Sequence, residues 1–150
     1  MKKWLTLVSV SFIVLFSSFF VSTSSSDAAA NKTRLIAEAK KLVGTPYRYG
    51  GKTPKGFDCS GFVYYTHQKV GVTLPRSSKE MYKKGKYVHK SKLQPGDLVF
   101  FDTSKRTKGV SHVAIYIGNN KVIHAVSRGV KIDSLNSSYW KTKYVGAKRL

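Results

Sequence analysis

Cysteine is almost missing from this 150-residue chain: Cys59 stands alone. One thiol excludes an internal disulfide and any cysteine-built zinc site. It leaves intermolecular pairing, an inert core thiol or a reactive group, and composition by itself favours the inert core. Acidic residues are also scarce, with seven Asp and Glu against 27 Lys and Arg for a formal net charge of +20. That imbalance excludes a charge-balanced surface and favours polyanionic surroundings, in a field that salt screens. The lysines are spread rather than blocked and no nucleic-acid-binding motif stands out, so nucleic acid is not the expected partner. A merely soluble basic surface accounts for the charge equally well. The histidines lack a cysteine or carboxylate at a ligand interval, so no metal and no cofactor is expected.

Long apolar runs are absent with one exception, Trp4 to Val21. The run follows Lys2 and Lys3 and closes on Ala28-Ala29-Ala30, the composition of a cleaved export signal. It is nearly long enough to cross a bilayer, which takes about 17–25 residues, so an uncleaved anchor is the alternative; the serines and trailing alanines favour cleavage. Residues 1–30 therefore read as a signal peptide and 31–150 as a single mature domain that is secreted. No cysteine sits at the junction, which argues against a lipid anchor. Outside the cell, a basic protein meets teichoic acids or polyglutamate before nucleic acid. A domain of this size buries enough surface to fold without crosslinks, and a monomer is the default.

The mature chain divides into a helical half and a strand half. A helix is expected from Asn31, capped by Asn31 or Thr33, with Leu35, Ile36, Ala39, Leu42 and Val43 on one stripe and Gly44-Thr45-Pro46 as its stop. A loop runs from Tyr47 to Asp58, and a second helix begins at or beside Cys59 and ends at Gly71. A short third helix starts at Ser77 or Ser78 and runs to Lys84, with Gly85 as its cap. Beyond the turn Pro95-Gly96-Asp97 the period changes, and strands are read at Asp97–Phe101, Val110–Ile117, Val122–Val126, Gly129–Asp133 and Tyr144–Lys148. Helices followed by closely spaced strands imply an α+β fold, with the helices packed on a C-terminal antiparallel sheet.

The sequence Asp58-Cys59-Ser60-Gly61 places the thiol at a helix start, where free backbone N–H groups favour thiolate. Gly61 permits a close approach by another chain segment or by a substrate. His112 alternates with Ala114 and Tyr116 on one face of its strand. A three-residue hairpin loop, with Ile117 opposite Lys121, would set His124 opposite Ala114 and within reach of His112. A two-residue loop at Asn119-Asn120 would turn the two imidazoles to opposite faces. In the favourable register Cys59 and His112 make a thiolate–imidazolium pair and His124 fixes the His112 tautomer. Asp97 reads as a turn-setting residue, Arg76 as either a contact for a substrate carboxylate or a loop brace, and His67 and His89 as exposed.

Six motifs occur in order: Pro46-Tyr47-Arg48-Tyr49-Gly50-Gly51, Asp58-Cys59-Ser60-Gly61-Phe62-Val63, Leu74-Pro75-Arg76-Ser77-Ser78, Pro95-Gly96-Asp97-Leu98-Val99-Phe100-Phe101, Ser111 to Gly118, and Ile123-His124-Ala125. Together they resemble the NlpC family of cell-wall cysteine peptidases over nearly all of residues 31–150. The resemblance implies a papain-like fold and hydrolysis of the γ-D-glutamyl–diamino acid bond in peptidoglycan stem peptides. It makes Cys59 the nucleophile, His112 the base and His124 the orienting residue. It makes Tyr47 an oxyanion donor beside the Cys59 N–H. Asp58 and Ser60 become contacts for the amine of an N-terminal L-alanine, with Ser78 a further substrate contact. Met81 stands where a glutamine is often found, and none of the wall-binding modules that many relatives append is expected in these 150 residues. The other activities to weigh are depolymerisation of poly-γ-glutamate, a Cys-His amidase cutting between sugar and peptide, and a wall-binding module without turnover.

Overall fold

The computed structural model describes residues 24–150. Most of the expected export signal, residues 1–23, lies outside the described residues. Helix α1 spans Ser24–Lys41, so the boundary expected at residue 30 falls inside a helix. Alanine is the best helix former, and Ala28-Ala29-Ala30 continue the turn rather than break it. The cap expected at Asn31 or Thr33 is corrected accordingly: Thr33 Oγ1 donates back to the Ala29 carbonyl at 3.1 Å, as a mid-helix threonine does. Leu35 and Ala39 are buried, whereas Val43 lies beyond the helix and is half exposed.

The loop after Gly44 contains a hairpin that sequence periodicity did not announce, β1 (Lys52–Thr53) with β2 (Gly56–Phe57). Helix α2 follows at Cys59–Lys69, and Gly71, at φ +78°, ends it as expected. Helix α3 covers only Ser78–Met81, shorter than expected, with Ser77 as its cap. Then come β3 (Lys86–Tyr87), a 3-10 turn at Lys90–Lys92, β4 (Leu98–Phe101), β5 (His112–Gly118), β6 (Lys121–Val126) and β7 (Gly129–Ser134). Helix α4 (Ser138–Lys143) and β8 (Tyr144–Arg149) close the chain; β3 and α4 were not expected.

Six strands form one antiparallel sheet in the order β3-β8-β4-β5-β6-β7. Alternation along the strands divides the core in two. Leu98, Phe100, Val113, Ile115, Ile123 and Ala125 face α1 and α2, where Phe62, Val63 and Phe57 meet them with no solvent exposure. Val99, Phe101, Ala114 and Val122 face the other way, under Trp140 of α4. Each fully buried Phe or Ile contributes roughly 1.5–3 kcal/mol, so the sheet holds its register firmly on both faces.

That register is reached by a route the sequence did not suggest. The β5–β6 turn has two residues, Asn119 and Asn120, both left-handed at φ 52° and 56°, with Gly118 paired to Lys121. Taken alone, this would set His112 and His124 on opposite faces. A bulge between Tyr116 and Gly118 inserts Ile117 and flips the strand back, so that Tyr116 pairs with Val122 and Ile115 with Ile123. His124 therefore falls opposite Ala114, where the three-residue loop would have put it.

His67 corrects the expectation of exposure. It follows Val63 by one turn on the core face of α2, is 2% exposed, and donates Nδ1–H to the Val63 carbonyl at 2.8 Å. Burial pushes its pKa down to about 4. His89 is exposed, as expected. Asp97 holds its turn by accepting from Gln94 N at 2.7 Å and also takes an Arg149 fork through Nε and Nη2 at 2.7 and 2.8 Å.

Candidate active site

Cys59 is the first residue of α2, and the segment before it is held from several sides. Asp58 caps the helix, its Oδ1 accepting from Gly61 N at 2.7 Å. Its Oδ2 accepts from Gly50 N at 3.1 Å, and Arg76 grips both oxygens through Nη1 at 3.0 Å and Nη2 at 2.8 Å. Arg76 Nη1 also donates to Ser60 Oγ at 2.8 Å, and Nη2 to the Gly51 carbonyl at 3.3 Å. Arg76 thus braces this segment in the structure, with Asp58 and Ser60 both bonded to it. A Cβ on Gly61 would run into the Gly51 carbonyl, which is the close approach anticipated for that glycine. Ser78 is buried at the start of α3 and does not line the cleft described below.

The thiol lies over the start of β5. Sγ donates to the Ser111 carbonyl at 3.9 Å, and the N–H groups of Val113, Ser60 and Cys59 itself are directed at it. The loop entering β5 is fixed by Ser111 Oγ, which accepts from Thr103 N at 2.8 Å and Ser104 N at 3.1 Å. No hydrogen bond joins Sγ to the His112 ring among the described residues. Burial raises the thiol pKa above its ordinary value, against the pull of those N–H groups, and the charge of Asp58 adds to the rise.

His112 Nε2 and His124 Nδ1 are 3.0 Å apart, and His124 Nε2 lies 2.9 Å from Asp133 Oδ2. The carboxylate settles the protons along this chain. It can only accept, so His124 carries its proton on Nε2; His124 Nδ1 then accepts, and His112 donates from Nε2. His112 Nδ1 is left with a free lone pair, the atom a base needs. Burial first, then the neighbouring His124, push the His112 pKa down to about 3 against the pull of Asp133. Burial lowers His124 as well, opposed by its bond to Asp133. Burial thus works against the thiolate–imidazolium pair expected from the sequence, because it disfavours charge on both partners.

Asp133 and Trp140 escaped the sequence reading. The Trp140 ring stacks on His112 at 5.1 Å with an interplanar angle of 25°, and its Nε1 donates to Asp133 Oδ2 at 3.2 Å. Lys131 Nζ reaches Asp133 Oδ1 at 3.0 Å. Burial acts to raise the Asp133 pKa, but the bonds from His124 and Lys131 outweigh it and hold the carboxyl below its ordinary value. The available signal was the register of β6 and β7: His124 pairs with Lys131, which sets Asp133 diagonally opposite on the same face.

A cleft of about 850 Å³ opens beside His112, lined by Tyr47, Thr103, Trp140 and the β6–β7 hairpin. Tyr47 is placed there by its bridge to Phe57, just before Asp58, with Phe57 N donating to Pro46 O at 3.1 Å and Arg48 N to Phe57 O at 2.9 Å. Its phenol is raised above its ordinary pKa, by burial first and then by the neighbouring Cys59 and Asp58, which keeps the hydroxyl a donor.

This geometry can be set beside known proteins. The sequence profile of the NlpC/P60 family matches residues 44–149. The chain belongs to the NlpC/P60 family. It is 52% identical over 121 residues to a Bacillus subtilis protein named "Probable peptidoglycan endopeptidase LytE", covering 79% of this chain and 34% of that one. It is 46% identical over 121 residues to the Escherichia coli K12 "Murein DD-endopeptidase MepS/Murein LD-carboxypeptidase", covering 79% of this chain and 63% of the other. The crystal structure of an NlpC/P60 family protein from Bacillus cereus superposes with a TM-score of 0.74 at 39% identity, over 79% of this chain and 39% of that one. The chain thus spans only about a third of LytE. The α+β fold implied by the resemblance is the fold these NlpC/P60 structures share.

Proposed function

We propose that this NlpC/P60 protein is a secreted, wall-associated cysteine endopeptidase that cuts the γ-D-glutamyl–diamino acid bond of peptidoglycan stem peptides. The observation that carries the reading is the hydrogen-bonded chain His112–His124–Asp133, set beside a cysteine at a helix N-terminus. An inert core thiol has no need of a tautomer-fixing relay. A wall-binding module without turnover has no need of it either.

In this reading Cys59 Sγ attacks the γ-carbonyl carbon while its proton passes to His112 Nδ1. The imidazolium so formed is stabilised through His124 and Asp133, and the oxyanion takes hydrogen bonds from the Tyr47 hydroxyl and the Cys59 N–H. The tetrahedral adduct collapses with cleavage of the C–N bond, and His112 returns the proton to the leaving amine. Water then attacks the thioester with His112 again as base, releasing the glutamyl acid and regenerating the thiol. Arg76 and Asp58 hold the nucleophile in place, and Ser60 is part of the same clamp. Residues 1–30 serve as the export signal.

A second reading has one observation in its favour: the MepS relative, 46% identical, is named for D,D and L,D bonds. Those bonds lie further along the same stem peptide. Mass spectrometry of L-Ala-γ-D-Glu-diaminopimelate-D-Ala peptides, single and crosslinked, separates the two. Release of the L-Ala-γ-D-Glu dipeptide by the wild type, and none by Cys59→Ala, is the expected result. Loss of terminal D-alanine or opening of the crosslink, with the dipeptide bond intact, would sink the γ-glutamyl reading and favour the second. Cleavage of polyglutamate alone would favour the depolymerase.

A further inference from the structure

The cleft beyond His112 carries more positive charge than the bond-breaking step uses. Arg128 and Lys131 both line it, from the β6–β7 hairpin. Lys131 shares the Asp133 carboxylate with His124 and Trp140, so one acid answers several donors. No hydrogen bond or ion pair occupies the Arg128 guanidinium among the described residues.

The hairpin that presents Arg128 is fixed in place. Val126 pairs with Gly129 around Ser127 and Arg128, and Gly129 takes φ +100°, the left-handed residue that closes such a turn. A Cβ there would stand 2.7 Å from the Thr45 carbonyl. Gly44 N donates to Val130 O at 2.8 Å and Val130 N to Thr45 O at 2.9 Å, so the hairpin is tied to the segment that leads into Tyr47. Arg128 therefore stands on a turn anchored to one wall of the cleft, with the Trp140 and Tyr139 rings lining the same cleft.

His112 protonates the departing amine, so the leaving fragment lies on its side of Cys59, in this cleft. We propose that Arg128, assisted by Lys131, receives a carboxylate on the side chain of the leaving diamino acid. The accepted residue is then of the diaminopimelate class, whose far end bears a carboxylate beside its amine, with the aromatic rings covering its methylene chain. Lysine ends in a bare ammonium, which the two cations repel. This rests on the γ-glutamyl reading and names the substrate class within it.

The test uses three tripeptides, L-Ala-γ-D-Glu followed by meso-diaminopimelate, by its side-chain carboxamide, or by L-lysine, with kcat/KM measured for the purified wild type, Arg128→Gln and Arg128→Lys. A fork-shaped, charge-assisted contact predicts about a tenfold wild-type preference for the carboxylate over the carboxamide. Arg128→Gln should bring those two substrates to within about twofold of each other, and Arg128→Lys should fall between. Cleavage without discrimination, or discrimination that survives Arg128→Gln, overturns this inference and leaves the γ-glutamyl reading standing. No cleavage of any tripeptide at the glutamyl bond overturns both.

Discussion

Two arginines of the candidate site are treated in opposite ways. On one side Arg76 is consumed by the protein: both Asp58 oxygens, Ser60 Oγ and the Gly51 carbonyl accept from it. On the other, Arg128 stands in a cleft with no protein partner among the described residues. The first side is built to hold Cys59 still, and its polar groups are satisfied before any substrate arrives. In the proposed mechanism the second side handles protons, and it has cations to spare. The contrast assigns positioning to the cysteine half and proton transfer with ligand recognition to the histidine half, and each substitution below separates those tasks.

The largest effect belongs to the proposed nucleophile. Cys59→Ala should lower turnover by about a thousandfold or more and leave the melting temperature nearly unchanged, because the thiol's one protein acceptor is a weak contact at 3.9 Å. Calorimetry and a dipeptide-release assay measure the two halves of that statement. Asp133→Asn comes next. An amide offers N–H as well as C=O to His124 and lets the tautomer reverse, so kcat should fall about a hundredfold with KM little changed. A fall in KM affinity with kcat intact would mean that Asp133 serves the cleft rather than the relay.

The resting protonation state gives a third test. With both partners buried, iodoacetamide should alkylate Cys59 slowly at neutral pH and faster as pH climbs past 9.0, the thiol's ordinary value. A rate flat between about pH 5 and 8 would restore the ion pair instead. The same burial affects stability. His67 and His112 have folded pKa values of about 4 and about 3, below the unfolded value of 6.5. The unfolded chain binds more protons in that window, so stability is complete above pH 6.5 and falls as pH drops toward 4. His67→Leu should flatten part of that fall without touching the active-site histidines.

Much of this was legible in the sequence, and the parts that were not share a cause. The strand alternation that put His112 with Ala114 and Tyr116 is local, and so is the helix start at Cys59. The five C-terminal strands were read to within two residues for the same reason. The β5–β6 connection was misjudged because Asn119-Asn120 make a two-residue turn while the inserted Ile117 restores the register from three residues away. Neither feature alone gives the pairing. Asp133 and Trp140 depend on the β6–β7 register and on the placement of α4, which no single window reveals. His67 was misjudged because a histidine was taken as polar when the Val63 carbonyl one turn earlier satisfies it.

The smallest expected effects set the two arginines against each other directly. Arg76→Met leaves the Asp58 carboxylate, whose side chain is 16% exposed, with only the Gly50 and Gly61 N–H groups and weak Ser60 contact. Hydrogen bonds to a charged group are worth about 1.5–3 kcal/mol, and partial exposure of the pair discounts this to about 2 kcal/mol of folding stability. Arg128→Gln removes no protein contact and should change stability by less than about 0.5 kcal/mol. Denaturant titration of the two variants therefore separates a brace from a receptor before any substrate is added. If Arg128→Gln proved as destabilising as Arg76→Met, the guanidinium would be a structural partner of the hairpin, and the distinction between a satisfied half and an open half would fail at the residue on which it depends most.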